Sequence, residues 1–335
     1  MKFVQTHLPG LIFVFALALA STWLGSIFPI IGGAVFGIIF GMIISNIFGK
    51  PSNTVDGIKF SSKKILQWAI IMLGAGLNLA QVWKTGMESL YVMVFTLSFA
   101  YISAYLVGRL LKVPDNLISL IGTGTAICGG SAIAAVSPII EAEEMEVAYS
   151  ISTIFLFNVL AVLVFPPLGH LLGFSDQAFG LWAGTAINDT SSVVAAGYAF
   201  SNTAGDYATI VKLTRTTMII PISLLFAFAV ALKKRRESKD NPMVNYSLKR
   251  IFPWFIIWFL AASLLNTLGL FNDTIVHYFK LLGKFMIVMA LSAIGLNADF
   301  KKMLKTGVKP MFLGMAVWFV VSIVSLIVQF SLGQI

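Results

Sequence analysis

Long apolar runs separated by short polar stretches repeat along the whole chain. Each run is close in length to the roughly 20 apolar residues that cross a bilayer as one helix. The pattern therefore predicts an all-α polytopic membrane protein with about 11 transmembrane helices. The predicted spans are 8–29, 31–48, 64–82, 89–111, 117–140, 147–171, 177–200, 207–232, 251–270, 277–297 and 308–331.

The composition excludes a soluble domain. Of the 335 residues, 58% are hydrophobic and 11% are charged, whereas globular domains contain about 25% charged residues. The spans leave only short loops, which predicts one transmembrane domain over 1–335. Its approximate halves are 1–171 and 172–335, with the main cytoplasmic loop at 233–250.

The formal net charge of +9 is unevenly distributed along the chain. If the amino terminus is cytoplasmic, most basic residues fall on the inner side, and the acidic cluster at 141–146 falls on the outer side. This positive-inside bias predicts a multi-pass membrane protein with its amino terminus in the cytoplasm and its carboxyl terminus outside. The basic charge then orients the chain, and we expect no nucleic-acid partner.

Two internal repeats stand out. The sequence Gly-Thr-Ala-Ile-Cys-Gly-Gly-Ser at 124–131 is matched by Gly-Thr-Ala-Ile-Asn-Asp-Thr-Ser at 184–191, and both lie in the middle of a span. Gly-Leu-Asn occurs at 76–78 and 295–297, on opposite sides of the membrane, as inverted repeats require. The first pair lies in spans that run the same way. A permuted repeat, a re-entrant segment and convergent use of small residues all remain open for it.

The small residues at 124–131 have two interpretations. They could let helices pack closely, or Gly129 and Gly130 could interrupt the helix and leave free N–H groups that bind an anion. An interrupted helix needs a lined cavity, because lipid cannot satisfy its backbone.

The polar run at 188–192 is harder to explain by packing, because Asp189 lies inside an apolar span. Lys212 and Arg215 are the candidate partners of Asp189, since they are three residues apart on the next span. The alternatives are a purely structural ion pair and side chains that extend to the interface. One cation could remain free for an anionic substrate. An unpaired Asp189 could instead titrate or bind Na⁺.

These patterns predict a substrate site and no catalytic or metal site. The candidate substrate-binding residues are Thr125, Cys128, Gly129, Gly130, Ser131, Asn188, Asp189, Thr190, Ser191, Ser192, Lys212 and Arg215. The secondary candidates are Asn78, Asn158 and Asn297, for which a helix cap or an interhelical hydrogen bond is the alternative. No His or other base lies near Cys128 in the chain, and the three histidines are scattered, so we expect no enzyme activity.

From about residue 25 to 331 the chain resembles the YeiH-type sulfate exporter family of bacterial membrane proteins. The resemblance rests on 124–131, on Ala-Ile-Asn-Asp-Thr-Ser-Ser-Val-Val-Ala-Ala at 186–196 and on Val-Lys-Leu-Thr-Arg at 211–215. That family is similar to the cation/proton antiporter and anion transporter superfamily, which includes bile-acid sodium symporters. The resemblance implies a location in the bacterial inner (plasma) membrane, two inverted repeats, crossed discontinuous helices near the bilayer midplane and an elevator-like movement. A plain five-plus-five count places the second crossing helix at 277–297, whereas the polar break is at 184–192.

The predicted function is secondary active transport of a small anion, such as sulfate, sulfite or an organic sulfonate. The alternative is a cation/proton antiporter that uses Asp189 as its titrating group. No GxxxxGK[ST] motif occurs in the sequence, so transport must draw on an ion gradient or on exchange. We expect no cofactor beyond H⁺ or Na⁺ as coupling ion. The expected partners are the small anion and the lipid bilayer, with a homodimer as one possible assembly.

Overall fold

The computed structural model describes residues 2–28, 32–237, 254–298 and 307–335, and these residues are almost entirely helical. The helices are α1 (Lys2–Ile27), α2 (Gly32–Ile43), α3 (Val55–Phe60), α4 (Leu66–Gly74), α5 (Leu79–Leu110), α6 (Asp115–Ala126), α7 (Gly130–Val136), α8 (Glu144–Leu171), α9 (Asp176–Ala186), α10 (Thr190–Phe200), α11 (Asn202–Thr217), α12 (Ile219–Glu237), α13 (Trp254–Thr267), α14 (Asp273–Asn297) and α15 (Val308–Ser331). Two π-helical segments extend this series, Ile44–Phe48 after α2 and Ser61–Ile65 between α3 and α4, and a 3₁₀ turn covers Ser52–Thr54.

Each predicted span overlaps helical structure, and three of them, 117–140, 177–200 and 207–232, are each divided into two helices. This confirms a polytopic helical membrane protein. Within the described ranges, six helices are long and apolar enough to cross a bilayer, and two shorter apolar helices lie at Gly33–Phe48 and Trp254–Thr267. The predicted span 308–331 matches α15 at both ends. Most of the predicted cytoplasmic loop, from 238 onward, lies outside the described residues.

The boundary predicted between 82 and 89 is wrong. The break lies at Ala75–Asn78, where the Asn78 side chain caps the first turn of α5 by accepting from the backbone N–H of Ala80. Lys84 and Glu88, whose polarity suggested a loop, are one helical turn apart on α5 and form an exposed ion pair at 3.8 Å. The predicted span 207–232 is likewise divided at Met218 into α11 and α12.

The helices pack as two groups. The panel bundle contains α1–α4, α13 and α14, and the crossing bundle contains α5–α12 and α15. Small residues allow close packing within the panel bundle. A Cβ atom on Gly41 of α2 would lie 2.5 Å from the carbonyl oxygen of Ser292 on α14. The two bundles meet mainly along α10, which contacts both α2 and α14, and they also meet where α8 contacts α2 and where α5 contacts α13.

Candidate site at the crossing of two interrupted helices

The first interruption separates α6 from α7. Helix α6 ends at Ala126, and α7 begins at Gly130. Gly129 has a φ of +67° and a ψ of −131°, a conformation that glycine adopts readily and that costs an L-residue with a Cβ atom about 1–3 kcal/mol. The structure therefore favours the interrupted-helix interpretation of 124–131 over simple packing.

The second interruption separates α9 from α10. Helix α9 ends at Ala186, Ile187 is extended, and Asp189 is the N-cap of α10. The Asp189 Oδ2 atom accepts from the backbone N–H of Ser191 at 3.0 Å and from the Ser191 hydroxyl group. The carboxylate thus satisfies N–H groups that the start of a helix leaves unpaired. The second interrupted span is therefore 177–200, whereas 277–297 lies within the continuous helix α14.

The two interruptions lie against each other. A Cβ atom on Gly129 would lie 3.2 Å from the Cβ atom of Asp189. The side-chain oxygen of Asn158, on α8, accepts from the backbone N–H of Asp189 at 3.0 Å. Helix α8 therefore supports the second interruption at the point where the first one approaches it.

Lys212 and Arg215 of α11 bind the carbonyl ends of both interrupted helices. The Lys212 ammonium donates to the carbonyl oxygens of Ile127 and Ile187, at 2.8 Å each. The Arg215 guanidinium donates to the carbonyl oxygens of Ala126 at 2.5 Å, of Thr125 at 2.6 Å, and of Thr185. Both side chains are fully buried. They supply the hydrogen bonds that a helix terminus lacks, and their charge complements the negative end of each helix dipole.

The predicted ion pair between Asp189 and Lys212 or Arg215 is therefore wrong. Within the described part of the chain, no Lys or Arg nitrogen lies within 4.0 Å of the Asp189 carboxylate. The extension of the two basic side chains to the interface is also wrong, because neither is exposed. The side-chain nitrogens of Lys212 and Arg215 donate to carbonyl groups at the ends of α6 and α9. Asp189 lies on the other side of the crossing, where α7 and α10 begin.

A cavity of about 480 Å³ opens on that second side, between the two bundles. The crossing bundle contributes Gly130, Ser131, Asn158, Asp189, Thr190, Ser191 and Ser192. The panel bundle contributes the polar residues Ser62, Lys63, Gln67 and Asn297. Apolar side chains, among them Ile70 and Phe155, complete the walls. Asp189 and Lys63 are the only charged residues among the described residues that line this cavity.

The structure divides the predicted site residues into two sets. The cavity brings together eight of them: Gly130, Ser131, Asn158, Asp189, Thr190, Ser191, Ser192 and Asn297. The other seven lie outside its lining: Asn78, Thr125, Cys128, Gly129, Asn188, Lys212 and Arg215. Cys128 packs within a buried apolar cluster, and Asn78 caps the start of α5 rather than the end of a helix.

Sequence reasoning missed Ser62, Lys63 and Gln67. Ser62 and Lys63 belong to the π-helical segment Ser61–Ile65, and such segments frequently occur at functional sites. Asn297, the last residue of α14, connects to this region because its amide nitrogen lies 3.4 Å from the Ser62 hydroxyl group. The only sequence signal for these residues was the polar Ser-Ser-Lys-Lys run at 61–64. The positive-inside rule explains such a run as part of a cytoplasmic loop.

Comparisons with known proteins place the chain among membrane proteins. A family model described as "Conserved hypothetical protein 698" matches residues 9–314. The chain is 44% identical to a UPF0324 membrane protein of Clostridium tetani over 100% of both chains. It is 46% identical to the UPF0324 membrane protein FN0533 of Fusobacterium nucleatum, over 98% of this chain and 99% of the relative.

Among solved structures, the sodium proton antiporter MjNhaP1 from Methanocaldococcus jannaschii is 13% identical, with a TM-score of 0.32 and coverage of 100% of this chain and 98% of that one. The family assignment comes from the sequence matches, which extend over nearly the whole chain at more than 40% identity. The chain therefore belongs to the UPF0324 membrane protein family.

Proposed function

We propose that the chain is a secondary transporter that moves a small anion of the sulfate, sulfite or organic sulfonate class across the inner membrane. The observation that carries the proposal is the cavity of about 480 Å³ between the two bundles, at the crossing of two interrupted helices. Cavities of about 300–1,000 Å³ are typical of small-molecule sites. Unwound backbone beside a cavity between helices is the arrangement that transporters use near their substrates.

The lining chemistry supports a polar, charged substrate. The hydroxyl groups of Ser131, Thr190 and Ser192 and the ammonium group of Lys63 are donors that an oxyanion can accept from. In the cavity Asp189 supplies the opposing negative charge. An anion would bind well only when H⁺ or Na⁺ neutralises Asp189, since Lys63 then leaves a net positive site. This dependence would couple anion transport to a cation gradient.

The position of the cavity supports alternating access. One wall belongs to the crossing bundle and the other to the panel bundle. A substrate held between them would change sides of the membrane if the crossing bundle moved against the panel. The elevator-like movement implied by the resemblance to the YeiH-type family is of this kind.

A cation/proton antiporter is the second candidate. Asp189 favours it, because this carboxylate lines the cavity and, among the described residues, has no basic nitrogen within 4.0 Å. A carboxylate surrounded by hydroxyl and amide oxygens can bind a hard cation such as Na⁺. The two candidates differ in whether any anion moves.

The test is flux into proteoliposomes, measured with radiolabelled sulfate, sulfite and methanesulfonate under imposed H⁺ and Na⁺ gradients. We expect gradient-driven uptake of at least one of these anions. Asp189→Asn should retain anion exchange and lose the dependence on the cation gradient, because the side chain is then permanently neutral. Lys63→Ala should raise the KM for the anion about tenfold, and Lys64→Ala, a neighbouring exposed lysine outside the cavity lining, should leave it unchanged.

Na⁺/H⁺ exchange without movement of any anion, abolished by Asp189→Asn, would overturn the anion proposal in favour of the antiporter. No flux of anion, Na⁺ or H⁺ from folded protein would exclude both candidates. If Lys63→Ala and Lys64→Ala change the KM for the anion equally, Lys63 is not part of the anion site.

A further inference from the structure

The first interrupted segment, α6–α7, begins and ends beside the start of α8. The Asn116 side chain, in the first turn of α6, donates to a carboxylate oxygen of Glu146 at 2.9 Å, and Glu146 lies in the first turn of α8. Between these two residues the chain passes through both halves of the segment. A continuous span over 115–140 would instead separate the starts of α6 and α8 by the thickness of the membrane core, about 30 Å.

The two halves of this segment lie side by side. A Cβ atom on Gly124 of α6 would lie 2.9 Å from the Cδ1 atom of Ile133 on α7. Leu120 and Val136 belong to one buried apolar cluster together with Ile133, although along a single helix Leu120 and Val136 would be about 24 Å apart. The chain therefore turns back at the interruption, and α6–α7 is a helical hairpin with its tip at 127–129.

The second interrupted segment, α9–α10, also returns to the place where it begins. The Ser201 hydroxyl group, directly after α10, donates to the carboxylate of Asp176, the first residue of α9, at 2.7 Å. The rings of Phe179 on α9 and Phe200 on α10 stack with their centroids 4.0 Å apart. These contacts join the two ends of the segment, so α9–α10 is a second hairpin with its tip at 187–189.

Helix α8 connects the bases of the two hairpins. It contains 28 residues, and at 1.5 Å per residue its length of about 42 Å is enough to cross a bilayer. Near its start, Glu146 contacts the base of the first hairpin. Near its end, the ring of His170 stacks on that of Phe200 at the base of the second hairpin, with centroids 4.1 Å apart. The two bases therefore lie at opposite ends of a helix that is long enough to span the membrane.

We propose that α6–α7 and α9–α10 are re-entrant hairpins that enter the membrane from opposite faces and meet at their tips. Helix α6 has 12 residues and α9 has 11, so each tip lies about 16–18 Å from its base, close to the middle of a core of about 30 Å. The matching motifs at 124–131 and 184–191 then run in opposite directions, as inverted repeats require. This topology does not depend on which substrate is carried.

The hairpins change the side of two connections relative to a topology with 11 spans. If the amino terminus is cytoplasmic, the connection 137–143 becomes cytoplasmic, and 172–175 becomes external. Neither connection contains Lys or Arg, so the positive-inside rule is equally consistent with both topologies. The other connections keep their sides, because the two changes cancel.

The cavity extends from the tips toward the base of the first hairpin. Ser131 and Ala134, one turn apart on α7, are exposed and line it. Ile151 of α8 lines it about 10 Å from the start of that helix. Of the described residues in the lining, the second hairpin contributes only 189–192, at the start of α10. In a transporter of the proposed function, the substrate therefore reaches the tips along α7, from the face that holds the base of the first hairpin.

Thiol labelling of the two connections tests the topology. In a Cys128→Ala background, which lacks the buried native cysteine, Glu141→Cys and Leu172→Cys each place an exposed thiol in one of these connections. Lys59→Cys is the inner control and Thr203→Cys the outer control, because these exposed positions keep their opposite sides in both topologies. A membrane-impermeant maleimide is applied to intact cells and to permeabilised cells.

Glu141→Cys should behave like the inner control and react only after permeabilisation. Leu172→Cys should behave like the outer control and react in intact cells. Two membrane-spanning segments require the reverse at both positions, and a reversed result at either one would overturn the proposal. If a variant does not fold, Glu143→Cys and Gln177→Cys repeat the measurement at neighbouring exposed positions.

The substrate path is tested with the same reagent at Ser131→Cys. This thiol should react like the inner control, and sulfate should slow its reaction by occupying the cavity. A reaction like that of the outer control would overturn the path. If both connections label as expected but no anion slows the reaction or is transported, the hairpins stand and the proposed function fails.

Discussion

At each interruption one helix ends with unpaired carbonyl groups and the next begins with unpaired N–H groups. We call these the carbonyl side and the amide side of the crossing, and they contact different parts of the protein. On the carbonyl side, Lys212 and Arg215 are fully buried, and their nitrogens bind the ends of α6 and α9. On the amide side, α10 begins at a cavity between the two bundles, and Asp189 caps it. One side is closed by hydrogen bonds between protein groups, and the other is open to a ligand.

This difference teaches that a buried charge near a cavity of ligand size need not face that cavity. Five carbonyl oxygens receive the donors of Lys212 and Arg215, so these cations have a structural role. Unpaired carbonyl groups in such a place would each cost about 1–3 kcal/mol. The residues available for ligands are those on the amide side and on the facing panel.

Loss of Arg215 should have the largest effect on stability. Arg215→Met leaves three buried carbonyl groups without their donor, at about 1–3 kcal/mol each. We expect little folded protein, measured by size-exclusion chromatography and thermal unfolding in detergent. Arg109→Met is the control, because Arg109 forms an exposed pair with Asp115 and should cost about 0–1 kcal/mol. If Arg215→Met has the same melting temperature as the unaltered protein, the carbonyl ends of α6 and α9 do not need the hydrogen bonds of Arg215.

Adding a methyl group at the first interruption should have an intermediate effect. Gly129→Ala puts a Cβ atom on a residue with a positive φ, at about 1–3 kcal/mol, and places that atom 3.2 Å from the Cβ atom of Asp189. We expect a lower melting temperature and slower transport. The adjacent Gly130→Ala meets nothing within 4 Å and should retain stability. Equal behaviour of the two variants would contradict the geometry of the interruption.

The smallest effect on stability is expected at Thr185, next to the last residue of α9. The Thr185 hydroxyl group lies 2.7 Å from the Ser325 hydroxyl group of α15, and such interhelical bonds contribute about 0.6 kcal/mol on average in a membrane protein. Thr185→Val should therefore lower the melting temperature by less than about 2 °C and leave transport unchanged. A decrease in melting temperature as large as that of Arg215→Met would show that the contact with α15 is part of what stabilises the carbonyl ends.

The sequence allowed the helical segments to be predicted and indicated where the spans could be interrupted, because apolar length and a central Gly-Gly or polar run are local features. It left close packing as the alternative at 124–131. It could not predict the partners of Lys212 and Arg215. Which carbonyl groups they reach depends on how α11 packs against α6 and α9, and spacing along α11 indicates only that both side chains share a face.

Lys63 was missed for a related reason. Within a basic run it has the local signature of a cytoplasmic loop, and only the packing of the panel against the crossing bundle brings it to the cavity. The boundary of α5 was misplaced because Lys84 and Glu88 are polar. Both are instead compatible with an exposed helix face.

The most direct test of the division between the two sides is a cryo-electron microscopy map of the protein in lipid nanodiscs with a transported anion. We expect both interruptions, with Lys212 and Arg215 on the carbonyl oxygens of α6 and α9. The anion density should lie in the cavity between Ser131 and Lys63. Continuous helices over 115–136 and 176–200, or anion density held directly by Lys212 and Arg215, would contradict it.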